Sequence, residues 1–163
     1  MDLEWNDIHL HPCTFRFGEQ LAEFTTDDKS WVTCVAWSAS GESLAFATQS
    51  SIVYIVDCSS IDASGFKSTT PTVLTIKEHL PFSSLIFSSE SLLIGAGYNG
   101  NAILMETTGG QWKVGQKTLL AWKQNNNRTG DNCISCLKTS SLGLDGNHVS
   151  ATGAHGLFAI IKV

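Results

Sequence analysis

GAGYNG, residues Gly95 to Gly100, sets Gly-x-Gly-x-x-Gly directly after Leu92, Leu93 and Ile94. Two folds compete for these six letters. In a dinucleotide-binding domain the third glycine opens a helix that carries the pyrophosphate, and an acidic residue about twenty positions on holds a ribose hydroxyl. In an antiparallel sheet the same letters make a hairpin with Asn99-Gly100 at its tip, the strongest short-range hairpin signal, both central residues taking positive φ. The residues downstream decide. Asn101 to Gly110, NAILMETTGG, is too short for the helix and ends in paired glycines, and no acid stands between Thr107 and Gly130. The hairpin is the expected reading.

The hairpin recurs. Leu44 to Asp57 (LAFATQSSIVYIVD), Leu93 to Glu106 (LIGAGYNGNAILME) and Val149 to Lys162 (VSATGAHGLFAIIK) align without a gap, each a strand, a short turn and a strand. Small residues coincide in the first halves (Ala47, Ala96, Thr152; then Thr48, Gly97, Gly153), and the second halves are short runs of β-forming residues. A further strand precedes each pair: Val32-x-x-Val35-x-Trp37, Phe82-x-x-Leu85-x-Phe87 and Ile134-x-x-Leu137-x-Thr139 superpose, followed by turns of small polar residues. Within the first of these, Trp37 alternates with Val35 and is expected in the core. Outer fourth strands are expected at Pro71 to Glu78 and at Gln111 to Leu120, and Phe17 to Phe24 reads as the outer strand of a preceding unit.

A repeat of roughly 50 residues built from four antiparallel strands, with small residues where units crowd an axis, is a β-propeller blade. The expected fold is all-β, about three four-stranded blades of a partial propeller. The expected organisation is an N-terminal segment (1–15), the outer strand of a preceding blade (16–29), a blade (30–78), a second (80–120), an inter-blade loop (121–131) and an incomplete last blade (132–163). Closed propellers take roughly four to eight blades, so the cut faces are expected to pair with a missing N-terminal half or to self-associate.

Composition agrees with a folded domain. The 163 residues are 42% hydrophobic and 15% charged, with a net charge of -5. Ten basic residues spread over the chain argue against nucleic acid, which needs clustered cations. No apolar run reaches the roughly 18 residues of a membrane span, and MDLEWNDIHL is unlike a secretory signal, so a cytosolic compartment is expected. The five cysteines show no disulfide spacing. Cys133 and Cys136 form a C-x-x-C, but in a β-forming run positions i and i+3 point to opposite faces, so structural thiols are expected.

With these stretches in hand, FGEQL (Phe17 to Leu21), SWVTCVAWSASGESLAF (Ser30 to Phe46), the run from Leu80 to Met105, and DNCIS (Asp131 to Ser135) followed by Ala151-Thr152-Gly153, the chain resembles the WD-repeat propeller subunit, subunit 1, of the actin-related protein 2/3 complex. It matches only the C-terminal half of that family's seven-bladed chain. The resemblance implies a non-catalytic scaffold in the cytoplasmic actin cytoskeleton, with no cofactor of its own, whose partners are the other subunits of the complex and actin filaments and whose assembly nucleates branched filaments. The alternative expectation is a WD-repeat adaptor unrelated to actin, or a truncated fragment. The Trp-Asp ending of repeats is degraded here to Val56-Asp57, Met105-Glu106 and Ile161-Lys162. The insertion by which such subunits touch the filament is shortened to Ala121 to Gly130, AWKQNNNRTG, which puts that contact in doubt.

Other candidate sites fare less well. Trp112 and Trp122, flanking a polar loop, are with Lys123 and Arg128 the candidate partner-contact residues; core or blade packing is the competing role of the tryptophans. His9-x-His11 has no third ligand at fixed spacing, His79 stands where WD repeats keep a structural histidine, and His155 lies in a hairpin tip. The sequon at Asn127 is expected to stay unmodified without a secretory signal. No catalytic residue and no metal ligand is expected.

Overall fold

The computed structural model describes residues 18, 23–26, 29–59, 61–62, 65–66, 70–77, 79–121, 133–139 and 148–163. In chain order its strands are β1 (Val32–Trp37), β2 (Ser43–Thr48), β3 (Ile52–Asp57), β4 (Ile61–Asp62), β5 (Gly65–Phe66), β6 (Thr72–Thr75), β7 (Phe82–Ser89), β8 (Leu92–Gly97), β9 (Asn101–Thr108), β10 (Gln111–Ala121), β11 (Ile134–Thr139), β12 (His148–Gly153) and β13 (Phe158–Lys162). They form a first sheet in the order β1-β2-β3-β6, a second in the order β10-β9-β8-β7 and a third in the order β11-β12-β13, with β4 and β5 as a separate small hairpin. All ladders are antiparallel. The chain is an all-β stack of propeller blades.

The register follows the internal repeat closely. At one aligned position the inner strand of every sheet is bulged, between Val32 and Cys34, Phe82 and Ser84, and Ile134 and Cys136. A hydroxyl at the bulge then faces a carbonyl of the second strand: Thr33 and Ser135 donate to Ala47 and Thr152, each at 3.2 Å, and Ser83 Oγ lies 3.4 Å from Ala96 O. A bulge re-aims the strand and leaves one residue out of the ladder. Here it lets residues three apart, such as Phe82 and Leu85 or Ile134 and Leu137, both reach the core.

GAGYNG is a hairpin, and each glycine in it answers to packing or to φ. A methyl at Gly95 would sit 2.9 Å from the Phe82 ring, and one at Gly97 only 2.2 Å from the Pro81 carbonyl oxygen. Gly100 has φ +70, a left-handed conformation in which side chains are strained. The aligned Ser51 and Gly156 are left-handed too, with φ 60 and 73. The expectation that Asn99 shares the positive φ is corrected: Lys29 and Ser51 are the positive-φ non-glycine residues described. The turn closes from Gly100 N to Gly97 O at 3.1 Å, and a single left-handed residue at its end re-enters the strand, as in the longer hairpin loops. At the third repeat Ala154–Gly156, the expected tight tip, winds into one turn of 3-10 helix.

The core lies between sheets. Ala45, Ala47, Val53 and Ile55 of the first sheet meet Phe82, Leu85, Phe87, Leu93 and Met105 of the second. The other face of the second sheet, through Ile94, Ala96 and Ala102, meets Ile134, Leu137, Val149 and Ala151 of the third. Alanine on one side and large residues on the other give the interdigitation that dense interiors need. Trp37 is a correction. It is 55% exposed, and its neighbour Val35 is 59% exposed. Alternation correctly puts the two on one face of β1, with Cys34 and Ala36 on the face that packs against the second sheet. The Trp37 face is the one that β7 and β11 turn toward the preceding sheet, and no described residue covers its inner part.

Of the segment expected as an outer strand before β1, residues 18, 23–26 and 29 are described, and none is in a strand. Phe24 packs against Phe46, ring centroids 6.4 Å apart, on the flank of the first sheet.

Candidate functional site

A chain of stacked blades offers three kinds of surface: the two ends of its strands, the outer edges, and any face left open. The seams between sheets fix how these surfaces are presented. On the innermost strands the links are made by side chains. The Cys34 thiol donates to Phe82 O at 3.8 Å, Ser83 Oγ donates to Ile134 O, and Ser84 Oγ accepts from Leu137 N at 3.0 Å. Burial pushes the Cys34 thiol up, so it stays a protonated donor.

At the end carrying the β1–β2 and β7–β8 turns, Glu90 reaches back to the first sheet. Its carboxylate accepts Ser40 N at 2.8 Å and Ser40 Oγ at 2.9 Å. The backbone bond from Ser40, then the serine hydroxyls, hold the Glu90 carboxyl below its ordinary value. Asp57 on the same end is likewise lowered by the Ser59 hydroxyl and amide.

At the opposite end Ser51 Oγ donates to His79 O at 2.5 Å, and Leu80 N donates to the Asn99 side-chain oxygen at 2.8 Å. His79 stacks on Phe82 with centroids 4.4 Å apart. Burial lowers its pKa, opposed by the contact of Nδ1 with Leu80 O, and Nε2 is buried without a partner. With its backbone oxygen on Ser51 of the first sheet and its ring on Phe82 of the second, His79 is placed as a structural histidine.

Trp112, the one candidate partner-contact residue within the described set, is half-buried in β10. It meets Phe87 edge-on at 6.1 Å and packs against the first inter-sheet core. Trp122, Lys123 and Arg128, like His9, His11, Cys13, Asn127 and most of FGEQL, lie outside the described residues. Cys34, Cys58, Cys133 and Cys136 are free thiols. No group of three His, Cys, Asp or Glu among the described residues is placed to hold a metal ion. No described helix is long and apolar enough to cross a membrane.

Sequence reasoning passed over Ser40, Glu90, Ser83 and Ser84. For the last two the signal was present in the repeat: Thr33, Ser83 and Ser135 align, then Cys34, Ser84 and Cys136, a small polar pair in each inner strand.

This arrangement, sheets tied face to face with turns and edges facing outward, defines a β-propeller fold of the WD-repeat class. No family model matches the chain. Among curated proteins it is similar to actin-related protein 2/3 complex subunit 1A of Arabidopsis thaliana, 33% identical over 94 residues, which is 57% of this chain and 22% of that protein. It is also 38% identical over 85 residues to subunit 1A-B of the same complex from Xenopus laevis, 51% of this chain and 20% of that protein. The matched stretch thus spans about a fifth of the length of these relatives. Among solved structures, the β-propeller domain of Cps50 (Swd1) from Myceliophteria thermophila superposes with a TM-score of 0.57 at 16% identity, covering 81% of this chain and 38% of that one. That likeness bears on the fold alone. The resemblance to subunit 1 read from the sequence is borne out by these relatives.

Proposed function

We propose that the chain is a non-catalytic scaffold element of an actin-related protein 2/3 complex. Its blade ends and edges hold other subunits in the cytoplasmic actin cytoskeleton and support nucleation of branched filaments. The observation that carries this reading is the 33% identity to the Arabidopsis subunit over 94 residues of a chain folded as propeller blades. Three consecutive blades fall in the intervals 30–78, 80–120 and 132–163. The proposed partner-contact residues are Trp112 and, in the loop 121–131, Trp122, Lys123 and Arg128.

A rigid stack of sheets suits this role, because it presents loops at fixed spacing with little ordering cost on binding. Affinity capture of the tagged chain from its source cells, followed by mass spectrometry, tests the reading. Recovery of actin-related proteins 2 and 3 is expected, and weaker recovery with the triple variant Trp122→Ala, Lys123→Ala, Arg128→Ala. Their absence from the capture would overturn it in favour of an adaptor unrelated to actin.

A further inference from the structure

Asn99 is the one asparagine in the 163 residues that glycine follows. That pair carries its own reactivity. The backbone nitrogen after an asparagine can attack the side-chain amide carbon, and glycine, with no Cβ, leaves the approach unhindered. In the hairpin between β8 and β9 the same atoms are held away from this reaction. Gly100 is buried, its φ is +70, and its N–H donates to Gly97 O at 3.1 Å. Asn99 is half-buried, and its side-chain oxygen accepts Leu80 N at 2.8 Å. The nucleophile is thus engaged in one hydrogen bond and the electrophile is pinned by another. Leu80 is anchored on both sides in turn: His79 O accepts Ser51 Oγ at 2.5 Å, and Pro81 O accepts Tyr98 N at 3.3 Å. The hairpin belongs to the middle sheet, which the first and third sheets cover on its two faces.

We propose that Asn99 is a deamidation site held shut by this latch, reacting only from a local opening in which the hairpin tip parts from the segment before β7.

In the open form Gly100 N gives up its proton and bonds to Asn99 Cγ, the Cγ–Nδ2 bond breaks, and Nδ2 leaves as ammonia carrying that proton. The product is a cyclic imide. Water then opens it at either carbonyl, giving aspartate at position 99 or isoaspartate, in which the chain runs through the former side chain. Water is the sole co-reactant, and nothing is oxidised or reduced. Either product alters the latch. Aspartate places a negative charge beside the Leu80 amide, and isoaspartate adds a backbone atom to a turn that closes from Gly100 N to Gly97 O. Neither reverts to the amide, so an opening that reacts leaves a permanent mark. The site stands apart from the actin-complex reading and can hold or fail without it.

Two bonds must break for the tip to open, Gly100 N to Gly97 O and Leu80 N to the Asn99 side chain. Each is worth about a fivefold factor in such an equilibrium, so the folded turn is expected to slow the reaction roughly thirtyfold. A reaction that waited for global unfolding would be slowed by roughly a thousandfold or more.

Incubating the chain in warm neutral buffer, folded and in denaturing urea, and following the Asn99 peptide by mass spectrometry tests this. Conversion is expected in urea, with the folded chain roughly thirtyfold slower. Ser51→Gly removes the hydroxyl that holds His79 O, and glycine accepts the left-handed φ of 60 at that position, so folding is expected to survive, with circular dichroism as the check. This variant is expected to react roughly fivefold faster when folded and at the parent's rate in urea. Amide exchange at Leu80 is an independent reading: the amide is expected to be protected, and its exchange to rise with sub-denaturing urea in step with deamidation. No conversion in urea, equal rates folded and unfolded, slowing by a thousandfold or more, a folded Ser51→Gly rate equal to the parent's, or a freely exchanging Leu80 amide would each overturn the latch.

Discussion

Replacing Gly97 by alanine probes whether the glycines of GAGYNG serve packing. The added methyl would lie 2.2 Å from Pro81 O, 2.8 Å from Phe82 Cα and 2.9 Å from Ser83 N, all backbone atoms of the neighbouring strand and its approach. Backbone cannot rotate away as a side chain can, so β7 must shift from β8. The Tyr98 N to Pro81 O bond, 3.3 Å long, stretches with it. Overpacking of this kind costs roughly 1–3 kcal/mol, and a weakened backbone hydrogen bond adds about 1 kcal/mol. The lower entropy of an unfolded chain carrying alanine returns roughly 0.4–1 kcal/mol. The expected net loss is about 1–3 kcal/mol, read as a lower midpoint in urea at unchanged slope. Gly95→Ala is the graded companion: its new methyl meets the Phe82 ring at 2.9 Å, an aromatic side chain that can tilt, so its loss is expected to be smaller. A Gly97→Ala chain as stable as the parent, or Gly95→Ala costing more than Gly97→Ala, would refute the packing account.

Other expectations follow from the same structure. Phe82→Ala empties the seam between the first two sheets at a fully buried ring and is expected to cost roughly 3–5 kcal/mol in denaturant unfolding. His79 is half-buried and burial lowers its pKa, so the unfolded chain takes up its proton first as pH falls below the ordinary histidine value of about 6.5. Stability contributed by the neutral ring is therefore expected to be present at neutral pH and to decline as pH drops through that value toward the folded one. Thermal melts across this window should show the decline, and His79→Gln should flatten it. Gly100→Ala forces a side chain into a left-handed turn and is expected to cost about 1 kcal/mol in the same urea assay. Calorimetry with NAD or ATP is expected to give no binding heat, because the three glycines are accounted for by Phe82, Pro81 and a turn.

Much of this architecture was legible because one unit is written three times. The repeat placed a short turn between the paired strands of each unit, where the left-handed Ser51, Gly100 and Gly156 fall at aligned positions, and the outer strands β6 and β10 fell where polar turns and β-forming runs put them. Trp37 shows the limit. Period-two alternation tells which residues share a face, but which face is covered depends on the neighbouring sheet, and that is not a local property of β1. The β4–β5 hairpin was missed because two-residue strands give no periodicity to read. Asn99-Gly100 was read as a two-residue tip, whereas the longer loop spares asparagine the strained conformation. For the candidate contacts, aromatic residues beside a polar loop signalled a surface role for Trp112, while the T-shaped contact with Phe87 that half-buries it is tertiary and invisible in the string.

Each sheet satisfies its own ladder and is joined to the next by side-chain packing and by hydrogen bonds that each involve a side chain. Mechanical and thermal disturbance is then handed on one neighbour at a time, as along a row of coupled springs. Loosening Ile134 should quicken amide exchange in β7 and β8 while β3 and β6 keep their protection.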